Sequence, residues 1–255
     1  MKITLRSNQA SAFALMAANQ KQISIFNSIS KLSSGFSIVK AADNPAGLVI
    51  SEQLRSQIAS LNQKIENLNL NINRHKAASG TVSELRSLLT EVRTLAIGAV
   101  NSGGNSDEAQ AAFAIAGDAL VDSFNIIKQN ANFNGQATLD GSDGSLADIA
   151  DLTNVDLSTP EGAAAAVETI DAAAAELDQA TVDIGATQKN ELESQRVSFQ
   201  VTQQNLVSAE SQIRDVDLVR EYSKLVSASI GLQVSLALLA HSNLSSKSVI
   251  RLLDL

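Results

Sequence analysis

The chain of 255 residues contains no cysteine and no tryptophan, one tyrosine and two prolines, and aromatic residues make up only 3% of it. Without cysteine there is no disulfide, no thiol nucleophile and no cysteine-ligated metal. His75 and His241 are the two histidines and stand far apart in sequence, so a zinc site or a Ser/His/Asp triad has almost nothing to build on. The scarcity of aromatic side chains argues against a β-sandwich or a compact α/β enzyme core, which are filled by aromatic and β-branched residues. No uninterrupted apolar run approaches the ~18 residues of a membrane span, so no membrane partner is expected. What is plentiful is small and aliphatic: 44% of the chain is hydrophobic, much of it alanine, leucine and isoleucine, and with so few breakers this composition reads as long helices.

The net charge of -8 conceals a division. Residues 1–100 hold 11 basic and 5 acidic side chains, residues 101–195 hold 2 and 17, and residues 196–255 hold 6 and 5. An acidic middle between a basic start and a balanced end reads as a solvated outer surface whose flanks are engaged elsewhere. The basic residues are dispersed and lack aromatic stacking partners, so no nucleic acid is expected. Lys2 and Arg6 precede an apolar stretch from Ala10 to Ala18 that looks like a leader. Its pattern nevertheless continues through Ile23, Phe26 and Ile29, which reads as a first helix and not as a cleaved signal.

The clearest periodicity is the stripe Leu54, Ile58, Leu61, Ile65, Leu68, Ile72 and His75, spaced alternately by four and three. That is a coiled-coil seam. It resumes one step out of phase at Val82, Leu85, Leu89, Val92, Ala96 and Ala99, after Ser79-Gly80, and Thr81 with Glu84 offers a capping box across a break there. Periodicity alone leaves open whether Gly80 ends the helix. If continuous from Pro45 to Val100, the helix is about 80 Å long at ~1.5 Å per residue. Asn44-Pro45 marks its start, and Ser34-Gly35 closes a separate first helix near Leu32.

Ala109, Phe113, Ala116, Leu120, Phe124 and Ile127 define a third helix, ended by a reversal at Asn132-Phe133-Asn134-Gly135. Asp140-Gly141 and Asp143-Gly144 make 136–159 a hairpin or irregular cap. Thr159-Pro160-Glu161 opens a second long stretch reaching Ile213, and Leu218, Tyr222, Leu225, Ser229, Leu232, Leu236 and Leu239 form a last amphipathic helix. The fold class expected is all-α: an elongated antiparallel helical coiled-coil rod with a small hairpin or irregular region in its middle.

Neither terminal helix has an obvious partner in the chain except the other, which implies a protein completed by assembly. The candidate contacts are Leu32, Ile38, Leu225, Leu232, Leu236, Leu239, Val249 and Leu252. No catalytic, metal or cofactor site emerges. His75 lacks neighbours at metal-ligand spacing. Asp140, Asp143, Asp148, Asp151 and Asp156 lack the order and closing Glu of a calcium loop and read as a solvated tip. Gly103-Gly104 has no following Lys-Ser/Thr, and Asn243-Leu244-Ser245 is a glycosylation triplet inside an apolar helix.

Lys31-Leu32-Ser33-Ser34-Gly35 followed by Ala42-Asp43-Asn44-Pro45-Ala46-Gly47-Leu48 closely resembles the N-terminal signature of bacterial flagellins. Glu91-Val92-Arg93-Thr94-Leu95-Ala96 and Phe133-Asn134-Gly135 resemble their next landmarks. On the C-terminal side the matching segments are Ile184 to Asn190, Ala209 to Asp217 and Ser248 to Leu253. Ser37 stands where the family usually has Arg, and Asn44-Pro45 where Asp-Ala is common. The acidic middle is too short for large outer domains, so the resemblance is to a minimal flagellin.

The resemblance implies an extracellular, non-enzymatic filament subunit for swimming motility, exported through the flagellar type III channel. Residues 1–42 and 216–255 would be assembly helices of the inner core, and 43–215 a helical domain with a tip at 136–159. The implied partners are other copies, the export apparatus and a chaperone, the filament cap and junction proteins. A hook-filament junction protein shares the signatures and is the alternative. Immunostimulatory flagellins present a Gln-Arg-Val-Arg-Glu-Leu-Ala-Val segment to an innate immune receptor. Here Glu91 replaces its first Arg while Arg93 and Leu95 are kept, and Ala116 stands where a second-helix Glu is expected, which implies weak recognition.

Overall fold

A computed structural model describes residues 8–101, 103–141 and 146–253, with side-chain surroundings up to Leu244. The elements are α1 (Gln9–Ser34), α2 (Pro45–Ala99), α3 (Asp107–Gln129), β1 (Asn132–Phe133), β2 (Gln136–Ala137), α4 (Pro160–Ala186), a π-helical turn (Thr187–Leu192), α5 (Glu193–Arg214) and α6 (Leu218–Leu253). The all-α class is as expected, and the strands form a single two-stranded antiparallel ribbon. Its tip is Asn134-Gly135, with φ of 53° and 77°. Two consecutive positive φ values make the two-residue hairpin turn for which Asn-Gly is the preferred sequence. The hairpin thus lies at 132–137, ahead of irregular chain at residues 138–141 and 146–159.

Local chemistry fixes the helix starts. Asn8, Ser106 and Thr159 each accept a hydrogen bond from the backbone N–H three residues on, and Pro160 occupies the first turn of α4. Asn44 does the same for α2, its Oδ1 taking the Gly47 N–H at 2.9 Å. Any larger residue than Gly47 there would push aside the capping Asn44 and Ile38. A Cβ would stand 2.6 Å from Asn44 Nδ2 and 2.8 Å from Ile38 Cδ1.

The chain forms two compact units, one of Met1–Ser60 with Gln203–Leu255 and the other of Leu61–Thr202. In the second, one core gathers Val82, Leu85, Leu89 and Val92 of α2, Phe124 of α3, Leu139, Ile149, Leu152 and Leu157 of the irregular segment, and Ile170, Leu177 and Ile184 of α4. The α4 helix runs antiparallel to α2, with Arg93 paired to Asp171 at 2.6 Å and Arg86 to Asp178. Beyond the π-helical turn the same direction holds, since Leu68 and Ile72 pack on Leu192 and Phe199, and Lys64 lies over the Phe199 ring.

Gly80 does not end α2. Thr81 donates its hydroxyl to the Ala77 carbonyl inside an unbroken helix, so no capping box forms. The out-of-phase step is carried by Ala78, fully buried, which links His75 to Val82 by steps of three and four. Two successive steps of three are the slip that overwinds a coiled coil locally. Gly80 itself faces open space.

In the first unit α1 and α6 pair antiparallel. Asn8 meets Ser242 at one end and Ser28 meets Glu221 at the other. Within Leu218–Leu244 of α6 an 18-residue window reaches a mean hydropathy of 1.5, long and apolar enough to cross a membrane by length and composition alone. A search for uninterrupted runs passes it over, because Ser, Gly and Gln punctuate it.

Candidate self-assembly surface

Along α6 the residues turned towards α1 are Glu221, Leu225, Ala228, Leu232, Ser235, Leu239 and Ser242, a strict alternation of four and three. On α1 the facing residues include Ser11, Ala14, Ala18, Ile25, Ser28 and Leu32. Both lists are dominated by small or polar side chains. Ser28 Oγ donates to Glu221 Oε1 at 2.7 Å, Ser242 Oγ to Asn8 Oδ1 at 2.9 Å, and Ser11 Oγ to Asn243 Oδ1 at 3.2 Å. Glu221 is buried, which by itself would raise its pKa. Hydrogen bonds from Lys224 and Ser28 outweigh burial and hold the carboxyl below its ordinary value.

Leu32, Leu225, Leu232 and Leu239 share the seam, but many large apolar side chains of both helices point elsewhere. Phe13, Met16, Ile23 and Phe26 on α1 are exposed, as are Val219, Tyr222, Ile230, Val234, Leu236 and Leu238 on α6, and Val219 reaches 79%. An unburied stripe of this size on a helix pair is a surface that needs a cover.

The expected contacts divide accordingly. Leu236 lies on the outward face, 50% exposed. Leu225, Leu232, Leu239 and Leu32 are half-buried in the α1/α6 seam, and Ile38 is buried in its own chain against Gly47. The side chains of Val249 and Leu252 lie outside the described residues. Val219, Ile230 and Val234 escaped the sequence reading, and Tyr222 was traced on the α6 stripe without being chosen as a contact, because that stripe mixes seam positions with outward ones. The four-three alternation beginning at Glu221 would have separated them.

Between the helices, Gly35–Ser37 and Arg214–Val216 clasp each other. Ser37 N donates to the Arg214 carbonyl at 2.7 Å and Val216 N to that of Gly35 at 3.0 Å. The Ser37 hydroxyl adds bonds to the carbonyls of Ile213 and Arg214. The Arg214 guanidinium stacks 4.6 Å from the centre of the Phe36 ring and binds Glu52 at 2.8 Å. Arg214 and then Arg55 hold the Glu52 carboxyl below its ordinary pKa.

On α2, Glu91 is exposed, Leu95 rests half-buried against the core, and Arg93 is held by both carboxylate oxygens of Asp171. Ala116 is half-buried. His75 is 5% exposed, its Nδ1 has no hydrogen-bond partner, and burial with the neighbouring Arg74 charge pushes its pKa down while Glu191 acts the other way. Asp140 pairs with Asp148 through a backbone bridge, Asp151 binds Lys128 and Asp156 binds Ser158. Asp143 lies outside the described residues, and among those described no group of three or more potential metal ligands converges.

Comparison with known proteins matches residues 5–143 to the bacterial flagellin N-terminal helical region and residues 167–253 to the bacterial flagellin C-terminal helical region. A flagellin of Halalkalibacterium halodurans is 34% identical over 246 residues, covering 88% of this chain and 89% of that protein. A flagellar filament 33 kDa core protein of Treponema phagedenis is 28% identical and covers 98% of this chain and 99% of its own. A flagellin of Bacillus subtilis is 29% identical over 277 residues.

Proposed function

We propose that the outward apolar faces of α1 and α6 join copies of this chain, which belongs to the bacterial flagellin family, into a helical filament. The chain is a structural subunit of the bacterial flagellar filament. Its relatives over nearly their whole lengths are flagellins and filament core proteins, which favours this over a junction protein. The observation that carries the mechanism is the row of large apolar side chains that the helix pair leaves exposed outside its seam, Phe13, Met16, Ile23 and Phe26 on α1 and Val219, Tyr222, Ile230, Val234, Leu236 and Leu238 on α6. Covering that surface with identical surfaces removes it from water at roughly 25 cal/mol per Å² and makes assembly favourable.

In this reading residues 1–42 and 216–255 form the inner core and Leu236 is a direct contact, with Val249 and Leu252 proposed as further contacts. The subunit acts outside the cell, after export through the flagellar channel with a chaperone, beneath a cap and beyond the junction proteins. It performs no catalysis. Purified chain seeded with filament fragments should extend into long filaments under the electron microscope. Failure of concentrated, seeded protein to elongate contradicts the reading.

Recognition by the innate immune flagellin receptor is weak in this proposal. Glu91 presents a carboxylate where strongly recognised members present Arg, and Arg93 is already engaged by Asp171. A reporter-cell assay on monomer decides it. Activation at the level of a strong flagellin contradicts the proposal, and a gain in Glu91→Arg supports its cause.

A further inference from the structure

We propose that His75 and the π-helical turn form an acid-operated hinge: when the imidazole takes up a proton, the seam opens locally between residues 72–78 and 187–192 while the core beside it stays closed. All of these residues lie in the unit Leu61–Thr202, so the hinge exists whether or not copies of the chain join.

Two irregularities face each other there. On α2 the seam passes from Ile72 through His75 to Ala78 by two steps of three, which overwinds it. On the opposite helix Ile184, Gln188 and Leu192 advance by two steps of four, and the Glu193 N–H reaches back five residues to the Gln188 carbonyl. Such a π-turn unwinds the seam, and π-turns collect at functional sites. The antiparallel pairing of Arg86 with Asp178 and the packing of Ile72 on Leu192 set the two irregularities at one level. Beside them the regular seam from Val82 to Ala99 is fully covered, whereas Leu192 is 8% exposed.

The imidazole stands where they meet. His75 is buried and its Nδ1 has no hydrogen-bond partner. A neutral ring tolerates this, because one of its nitrogens carries no proton. An imidazolium presents two N–H donors, and in the closed seam one of them is buried without an acceptor. Arg74 and Lys76 flank the ring on α2, and Lys189, Glu191, Glu193 and Arg196 stand on the facing turn and the start of α5. The Arg74 charge opposes a further cation, Lys189 is paired with Glu193, and Glu191 is the carboxylate that favours one. The hairpin reaches this level through Arg74, which donates to the Ala137 carbonyl, and residues 132–137 carry no charge. Burial and Arg74 outweigh Glu191, so the closed seam disfavours the proton, and an open one restores the ordinary affinity of the ring. Acid therefore favours opening from about pH 6.5 downwards. The two irregular stretches give way first because they are less completely packed than the seam beside them.

Amide exchange of the monomeric full-length chain is followed at pH 7.5 and pH 5, each rate being divided by the intrinsic rate at that pH. Protection over 70–79 and over 186–195 should fall together, by at least about threefold and at most about thirtyfold, the ratio that an open-state pKa of about 6.5 sets at pH 5. Protection over 82–99 and 163–184 should change by less than about twofold. His75→Gln and His75→Leu should each remove the fall. Glu191→Gln takes away the charge that favours the proton and should keep the fall or enlarge it. Unchanged protection, a fall spread evenly over the unit, a fall in one of the two stretches alone, or an equal fall in His75→Gln overturns the proposal.

Discussion

In the unit of residues 61–202 most leucines, isoleucines and valines of α2, α3 and α4 are buried or half-buried, although Leu70, Ile97, Ile115, Ile126 and Val182 are exposed. In the unit built from residues 1–60 and 203–255 the fully buried apolar residues, among those described, are Ala14, Ala18, Ile38 and Ala228, while Leu32, Leu225, Leu232 and Leu239 are half-buried and Phe13, Phe26, Tyr222 and Ile230 face outward. The same heptad arithmetic builds both, so spacing does not separate a self-sufficient core from an assembly surface. What separates them is how completely the seam positions are covered. Val82, Leu85, Leu89 and Val92 fill a seam that excludes water, whereas Leu225, Leu232 and Leu239 are only half-buried between Ala228, Ser235 and Ser242, and large apolar residues beside them are left for another molecule.

Truncation on either side of this contrast gives the largest effects. Leu85→Ala or Leu177→Ala removes a fully buried side chain and should cost the isolated chain about 3–5 kcal/mol in denaturant unfolding. Leu236→Asp should leave that unfolding within about 0.5 kcal/mol, as for an exposed position, and abolish seeded filament growth. Normal filaments from Leu236→Asp break the comparison.

The next effect tests the seam. Glu221→Gln keeps the shape but removes the charge bonded to Ser28 and Lys224, and should loosen α1 against α6 by about 1–3 kcal/mol, read as faster amide exchange of both helices in the assembled filament. Because the folded pKa of Glu221 is lowered, its contribution is complete above the ordinary value of 4.5 and is lost as pH falls through the folded value. The Gln variant should lack that acid dependence.

A smaller effect belongs to His75. Its folded pKa is pushed below 6.5, so the stability of a neutral buried ring is present above pH 6.5 and is lost as pH falls through the lowered value. Unfolding between pH 7.5 and 5 should lose part of its pH slope in His75→Leu, and an unchanged slope contradicts this. Smallest is Gly80→Ala, at an exposed helix-interior position with open space around it, which should raise stability by up to about 1 kcal/mol. A loss instead would show that the slip at Ala78 needs a flexible neighbour.

The helices were legible because the apolar stripe from Leu54 to Ala99 repeats cleanly and because Asn44-Pro45, Ser34-Gly35 and Thr159-Pro160 are strong boundary signals. Continuity through Gly80 was not, since a glycine that caps and one that merely faces solvent look alike until Ala78 is seen taking up the slip. The hairpin lay in the Asn134-Gly135 signal itself, ahead of the Asp-Gly pairs that suggested it. Of the candidate surface, Leu236 was legible and Ile38 was not, because its burial depends on the close approach of Gly47, a tertiary contact.

Amide hydrogen exchange on the same preparation as verified monomer and as filament tests most directly the claim that the terminal helices are completed by other copies. Protection in α1 and α6 should be slight in the monomer and rise by orders of magnitude in the filament, while the core amides of α2 and α4 exchange slowly in both. Terminal helices already as protected in the monomer as in the filament would contradict the claim.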